Sequence, residues 1–171
     1  MIGRLRRHTQ LAALLLSASC CSWAGALCTS GERVLFSCKI KEKSAALCAS
    51  ADLGRTTGYV QYRFGTVQKL ELQYPKEKKP AESNFFISTI AYSGGGEVRV
   101  RFLRNNVSYY IYERTVKSNA AFAPGEHVEY GLITQSAAHG LTRRLCSQGT
   151  ETGFASEVHT IFNRETWSPL P

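Results

Sequence analysis

Arginine and tyrosine alternate across the segment from Glu97 to Arg114, in a pattern suited to binding an anionic partner. The segment reads as a β-hairpin around Asn105-Asn106, because asparagine tolerates the positive φ that two-residue hairpin turns require. This turn pairs Arg104 with Val107. One face of the hairpin then carries an ion pair and two Arg–Tyr rungs: Glu97/Arg114, Arg99/Tyr112 and Arg101/Tyr110. Interfaces concentrate arginine and tyrosine, and a guanidinium matches carboxylate geometry, so the candidate binding residues are Arg99, Arg101, Tyr110, Tyr112 and Arg114.

The same alternation has a purely structural interpretation. Cross-strand rungs stabilise a sheet by about 0.2–1 kcal/mol each, so the face could simply be a solvated surface held by its own pairs. The opposite face of the hairpin is apolar and suited to a core; its rungs are Val98/Glu113, Val100/Ile111 and Phe102/Tyr109. Arg63 would extend the Arg/Tyr surface only if its strand were a neighbour of the hairpin.

Four cysteines have the spacing of a disulfide framework. Cys28, Cys38, Cys48 and Cys146 are separated by ten, ten and ninety-eight positions, whereas a metal site needs closely spaced thiolates such as C-x-x-C. We therefore expect two disulfides and no metal. A hairpin around Lys41-Glu42-Lys43 would place Cys48 opposite Phe36 and Cys38 opposite Ala46, so that the two sulfurs are diagonal neighbours and poorly placed to bond. Cys28 precedes the first strand at the open end of this hairpin, where the second strand ends at Cys48. This favours Cys28–Cys48 and Cys38–Cys146, while the other two connectivities stay open.

The first 26 residues have the pattern of a secretory signal peptide. Three arginines, at positions 4, 6 and 7, precede the apolar run Leu11 to Ala18, and Ala24-Gly25-Ala26 is a small-x-small cleavage site. The apolar run is far below the roughly 20 residues that span a bilayer, which disfavours a permanent anchor. Lipidation at Cys20 is a second alternative. The sequence therefore predicts an exported protein, periplasmic or secreted, with a single domain over residues 27–171.

No catalytic motif accompanies these features. The segment Gly94-Gly95-Gly96 lacks the Lys-Ser/Thr and the helix of a phosphate loop, and no G-x-S-x-G is present to position a nucleophile. The histidines at 127, 139 and 159 are far apart, and nothing fixes the separation of the carboxylates at 32, 71, 126 and 129. We expect no cofactor, and a catalytic site only if distant residues assemble in space.

The elements that position these residues are short strands separated by turn signals. Apolar residues alternate with a period of two in segments rich in β-branched and aromatic side chains. Nine strands are predicted, at 32–40, 44–49, 58–64, 69–74, 85–92, 97–104, 107–115, 127–134 and 141–146. Their short connections favour an antiparallel meander closed as a barrel or folded as a sandwich. Residues 75–83 and 117–125 should be loops, and 154–163 a short C-terminal helix followed by a loose tail unless Trp167 docks.

Composition and net charge restrict both the class of protein and the kinds of partner that fit this sequence. Apolar residues make up 43% and charged residues 20%, which excludes a disordered, collagen-like or coiled-coil protein. The net charge is +8, and +5 once the leader is removed. This weak positive excess suits an acidic protein or an anionic glycan. An exported chain without a nucleic-acid-binding motif is a poor candidate for binding nucleic acid.

Residues 28–75 resemble a group of small exported proteobacterial proteins. The matching motifs are E-x-V-L-F-S-C at Glu32–Cys38, L-C-A-S at Leu47–Ser50 and Y-x-Q-Y-R-F-G at Tyr59–Gly65, with a weaker echo at Leu145-Cys146. This chain departs from the group at Ala45-Ala46, where the group tends to have Val-Ser. The resemblance implies bacterial export and paired cysteines, and no activity accompanies it.

Together these features predict an exported, non-enzymatic binding protein, an inhibitor or immunity-type factor being one form of that role. Two alternatives remain. A cell-envelope hydrolase would need a cleft with a perturbed His or Glu, and a structural envelope component would need an exposed apolar patch.

Overall fold

A computed structural model describes residues 27–118 and 125–170. It places their strands in two sheets, each built around an antiparallel meander. The first sheet has the order β1-β2-β3-β4, with β1 Arg33–Ile40, β2 Lys43–Ala49, β3 Val60–Gly65 and β4 Leu70–Tyr74. The second has the order β10-β5-β6-β7-β8-β9, with β5 Phe86–Tyr92, β6 Gly95–Arg104, β7 Val107–Ser118, β8 Gly125–Ser136, β9 Gly140–Leu145 and β10 Asn163–Arg164. All nine predicted strands are present. The two-sheet arrangement is a sandwich rather than a closed barrel.

An aromatic core lies between the two sheets. Phe102 of β6 stacks on Tyr74 and Tyr109 with ring centroids 4.6 and 4.8 Å apart, and Phe85 contacts it edge-on. The predicted core rungs of the β6–β7 hairpin lie on this side, where Val100, Phe102 and Ile111 are buried. Burial of these rings removes apolar area from water and helps to hold the two sheets together.

The β6–β7 hairpin has the predicted register. Arg104 pairs with Val107 and Glu97 with Arg114, around the two-residue turn Asn105-Asn106. Both asparagines have positive φ, 50° and 60°, as a type I′ turn requires.

The register predicted for the first hairpin is wrong by one residue. Its turn contains only Lys41 and Glu42, because Lys43 already pairs with Ile40, and Cys38 therefore lies opposite Ala45. A bulge at Leu35 then places Cys48 opposite Val34. Cys38 faces the inter-sheet core, whereas Cys48 packs with Leu27 and Ala46 in a separate cluster. The two sulfurs thus lie on opposite faces and cannot bond, and the disulfides are Cys28–Cys48 and Cys38–Cys146, the favoured pairing.

The C-terminal region differs most from the prediction. The helix α1 covers only Val158–Ile161, and the flanking residues of 154–163 are not helical. The chain then forms β10, which pairs parallel with β5 and was not predicted. The predicted loop at 117–125 is shorter, because Lys117 and Ser118 belong to β7 and Gly125 to β8; residues 119–124 lie outside the described residues, as does the predicted leader 1–26.

Candidate binding groove

The predicted Arg/Tyr face lies on the side of the six-stranded sheet that points away from the core. Its expected exposure is wrong: the C-terminal strap, defined here as residues 163–170, covers much of it. Arg101 donates to both carboxylate oxygens of Glu165, at 2.9 and 3.0 Å from Nε, and lies over the Phe86 ring. Arg99 is 5% exposed, pairs with Glu97, donates to the Ser168 carbonyl at 2.9 Å and lies 4.6 Å from the Trp167 ring centroid.

The remaining members of the face are also engaged within the chain. Tyr112 is fully buried and donates to Glu129 at 2.8 Å, and burial followed by this hydrogen bond raises the pKa of the phenol. Arg114 donates to the same carboxylate at 2.9 Å. Tyr110 is partly exposed, with a longer contact of 3.3 Å to Gln135. Charges already satisfied inside the chain are poorly available to a ligand, so a binding role for this face stays a prediction that the geometry does not favour.

Arg63 does not extend the Arg/Tyr face. It lies on β3 in the other sheet, is 6% exposed and forms a bidentate ion pair with Glu32. Its role is to tie the N-terminal segment to the first sheet.

A different site lies between the two sheets. A cavity of about 310 Å³ opens where β3 and β4 meet the core-facing sides of β6–β9. Its floor is aromatic, with Tyr62, Phe102 and Tyr109 in a row of ring contacts at 5.0 and 4.8 Å. Its rim is polar, and comprises Glu71, Arg104, Thr134, Thr142 and Arg144. An apolar floor with a few convergent polar groups is the usual composition of a ligand site.

Two further concavities continue this cavity on either side. One of about 760 Å³ shares Phe64, Thr142 and Arg144 with it and runs past the β1–β2 turn. Another of about 200 Å³ shares Tyr109, Thr134 and Thr142 and reaches the β8–β9 turn. The three together form an elongated depression along β9, called the inter-sheet groove below. Its shape suits a chain-like ligand better than a compact one.

Arg104 and Arg144 differ from the buried and half-buried arginines that hold the fold together. Arginines 63, 99, 101 and 114 each have a carboxylate within 4.0 Å, whereas neither Arg104 nor Arg144 has one among residues 27–118 and 125–170. Lys41 lies on the same rim, and Lys43 pairs with Glu71 at 2.8 Å. Glu42 and Glu71 also line the groove, but neither lies within 4.0 Å of Arg104 or Arg144. These two guanidinium groups therefore stay open to an anion.

Arg144 lies close enough to the floor of the groove to influence the ionisation of Tyr62. Burial raises the pKa of Tyr62 well above its usual value, Tyr109 raises it further, and Arg144 opposes both. The positive charge of Arg144 therefore acts on groups inside the cavity.

The titratable groups give no catalytic assembly in the described ranges. His127, His139 and His159 are all exposed, and the first two stand near opposite ends of β8, which spans roughly 40 Å at about 3.3 Å per residue. Glu32 serves a structural ion pair. The described His, Cys, Asp and Glu residues contain one group close enough to hold an ion, Cys28, Glu32 and Cys48, and its sulfurs are already bonded to each other.

Sequence reasoning missed Arg104, Thr142 and Arg144. Their strands were predicted, and the alternation of β9 places Thr142 and Arg144 on one face. The sequence alone does not show that β4 and the β1–β2 turn lie beneath that face, because their position is a long-range feature of the sandwich.

The comparisons with known proteins leave the family open. No family model, no curated protein and no solved structure matches this chain. The described part of the chain contains no helix long and apolar enough to cross a membrane. The site therefore has to be judged by its own geometry.

Proposed function

We propose that this chain is an exported, non-enzymatic binding protein that holds an anionic partner in the inter-sheet groove. The observation that carries the proposal is the pair Arg104 and Arg144, which flank an aromatic floor without a described carboxylate partner. An inhibitor or an immunity-type factor is one form of this role. Export is supported by the leader pattern and by two disulfides, which persist in oxidising compartments.

The alternatives have weaker support. The hydrolase would need a perturbed His or Glu in a cleft, but the described histidines are exposed, and Glu32, whose pKa is lowered, is held in the ion pair with Arg63. The structural component would need one large apolar patch. Among the described residues, the exposed large apolar side chains are instead distributed over several parts of the chain: Val67, Leu70, Tyr92, Leu103, Val128 and Leu145.

The test is direct binding of two labelled anionic probes, an oligoglutamate peptide and a sulfated oligosaccharide, measured by fluorescence anisotropy at low salt. The variant is Arg104→Gln/Arg144→Gln. The matched control is Arg55→Gln/Arg164→Gln, which removes the same charge at exposed sites outside the groove. We expect the groove variant to weaken binding about tenfold or more beyond the control, because charge-assisted hydrogen bonds are lost as well as net charge.

Thermal unfolding of each variant shows whether the fold is intact. Equal losses of affinity in the two double variants would show that binding depends only on net charge, which would contradict the proposal. The proposal is also contradicted if the unmodified protein binds neither of the two probes.

A further inference from the structure

We infer that the partner of the groove is an extended acidic segment of another protein, which adds to β9 as a further strand. This inference rests on the proposed function and names the chemistry of the partner. Its basis is the exposed edge of β9, which borders the groove along its length.

The hydrogen-bond pattern shows which backbone groups of β9 are free. The Cys146 amide donates to the Tyr130 carbonyl at 3.0 Å, so the bonded pairs of this ladder continue at Leu132↔Arg144 and Thr134↔Thr142. In an antiparallel ladder the intervening residues turn their N–H and C=O groups away from the partner strand. Arg143 and Leu145 therefore direct their backbone groups outward, and no described residue pairs with them there.

The chain covers the edge of β1 and part of the edge of β5 with its own segments. The edge of β1 bonds to the stretch after β9, through Thr152 N to Ser37 O at 2.7 Å and Ala155 N to Leu35 O at 2.9 Å. β10 covers only the start of the β5 edge, at Phe86 and Ile87. Within the described ranges, β9, the shorter β4 and the rest of β5 have no strand partner on their outer edges, and of these β9 and β4 border the same cavity. An open edge beside a groove is the geometry that strand-addition domains use.

The positive charge of β9 determines which kind of strand can pair with this edge. Arg143 and Arg144 are exposed, and β9 has no acidic residue. A second copy pairing through β9 would set arginines opposite or diagonal to arginines, which destabilises a strand pair. A strand of alternating Glu and Val is complementary to this edge, because its side chains alternate between the two faces. Its inward carboxylates would meet Arg144 and Thr142, and its outward valines would pack beside Leu145 and the aliphatic stem of Arg143. An anionic glycan would use the same arginines but offers no row of amides to the edge.

The first experimental arm changes the edge itself. Arg143→Pro removes an outward N–H that β8 does not use, so the fold should tolerate it while an added strand is blocked. Arg143→Gln is the charge-matched control, because it keeps that N–H. The probe is a labelled ten-residue peptide of alternating Glu and Val. We expect Arg143→Pro to bind it at least about tenfold more weakly than Arg143→Gln does, since several main-chain bonds are lost together.

The second arm uses the unmodified protein, so that it holds even if the proline variant misfolds. A peptide of the same sequence with every backbone nitrogen methylated keeps its charges and loses its donors, and we expect it to bind at least about tenfold more weakly. Hydrogen exchange supplies an independent readout: the amides of residues 143 and 145 should exchange freely alone and become protected with the Glu-Val peptide.

The outcomes separate this inference from the proposed function. If the methylated peptide binds as well as its parent and the two amides stay unprotected, strand addition is wrong, while sensitivity to Arg104→Gln/Arg144→Gln would still support an anion groove. A sulfated oligosaccharide that outcompetes the peptide without protecting those amides would likewise overturn strand addition. If the affinity for the peptide is unchanged by Arg104→Gln/Arg144→Gln, the proposed function is contradicted instead.

Discussion

Glu32 and Arg63 form a buried ion pair that joins the segment before β1 to the middle of β3. Arg63 donates to the two carboxylate oxygens at 2.6 and 2.7 Å, and the side chains are 7% and 3% exposed for Arg63 and Glu32. Tyr59 Oη and the Thr29 amide also donate to Glu32, at 2.8 and 2.7 Å. Because every lone pair of the carboxylate faces a donor, the charged form of Glu32 is strongly favoured in the fold.

We predict that acid weakens this pair in a defined pH window. Burial raises the pKa of Glu32, but the bonds from Arg63, Thr29 and Tyr59 outweigh it and hold the pKa at about 2, against 4.5 for the free group. Since the folded pKa is the lower one, the stabilisation is complete above about pH 4.5 and is lost as the pH falls towards 2. Urea unfolding between pH 7 and 2 should show a steeper loss of stability in the unmodified protein than in Glu32→Gln.

The same variant should be less stable at pH 7. Removing one partner leaves Arg63 charged and buried, which costs about 3–5 kcal/mol. Glu71→Gln is the matched control: Glu71 pairs with Lys43 at 2.8 Å near the surface, so its loss should cost less than about 1 kcal/mol. Parallel pH profiles for the unmodified protein and Glu32→Gln would contradict the assigned role of the pair.

Residue types alone could not separate structural arginines from binding ones. Arg63 follows Tyr62 along β3 and Arg101 lies opposite Tyr110 on the neighbouring strand, and their carboxylate partners come from 31 and 64 positions away. Arg144 has the same chemistry and no such partner among the described residues. That difference depends on which distant segments meet, and a local pattern does not contain it.

At the scale of elements, strands were easier to predict than the segments that cover them. Period-two alternation and local turn chemistry determine β6 and β7, and Asn105-Asn106 adopts the positive φ that its residue type permits. The first hairpin shifted by one residue because its turn is only Lys41-Glu42, and the bulge at Leu35 adds a further shift without a local signal. The strap has no periodicity at all, because tertiary contacts position it.

We predict that the strap is held mainly by Trp167 and Glu165. Trp167 lies over Arg99, and Glu165 holds Arg101, whose pKa is raised first by these hydrogen bonds. Trp167→Ala should lower the free energy of unfolding by about 1–2 kcal/mol, through the lost cation–π contact and the apolar area uncovered.

Thr166→Ala is the control within the same segment, since Thr166 is exposed. Circular dichroism during urea unfolding measures both variants without relying on tryptophan fluorescence. Amide exchange in β5 and β6 should rise in Trp167→Ala alone. Unchanged stability in that variant would show that the strap does not hold this face.

At the scale of the whole molecule, the two disulfides act differently. Cys28–Cys48 fastens the N-terminal segment to β2, across a separation of 20 residues. Cys38–Cys146 joins β1 of one sheet to the residue after β9 of the other, across 108 residues. The sequence predicted this pairing through the position of Cys28 at the open end of the hairpin. It could not predict that the longer bridge borders the inter-sheet groove, because that requires the arrangement of both sheets.

The longer bridge should therefore matter more to stability and to binding. Closing a longer loop removes more entropy from the unfolded chain, so Cys38→Ser/Cys146→Ser should cost about 1.5 kcal/mol more than Cys28→Ser/Cys48→Ser. Cys146 also lines the groove beside Arg144. Loss of its bridge frees the end of β9 from β1, so affinity for the oligoglutamate probe should fall in this variant and stay near normal in the other. Urea unfolding and anisotropy on the same two preparations test both expectations. Equal affinities at matched folded fractions would mean that the bridge stabilises the sandwich without positioning β9, and the groove would then owe its shape to the strand ladder with β8 alone.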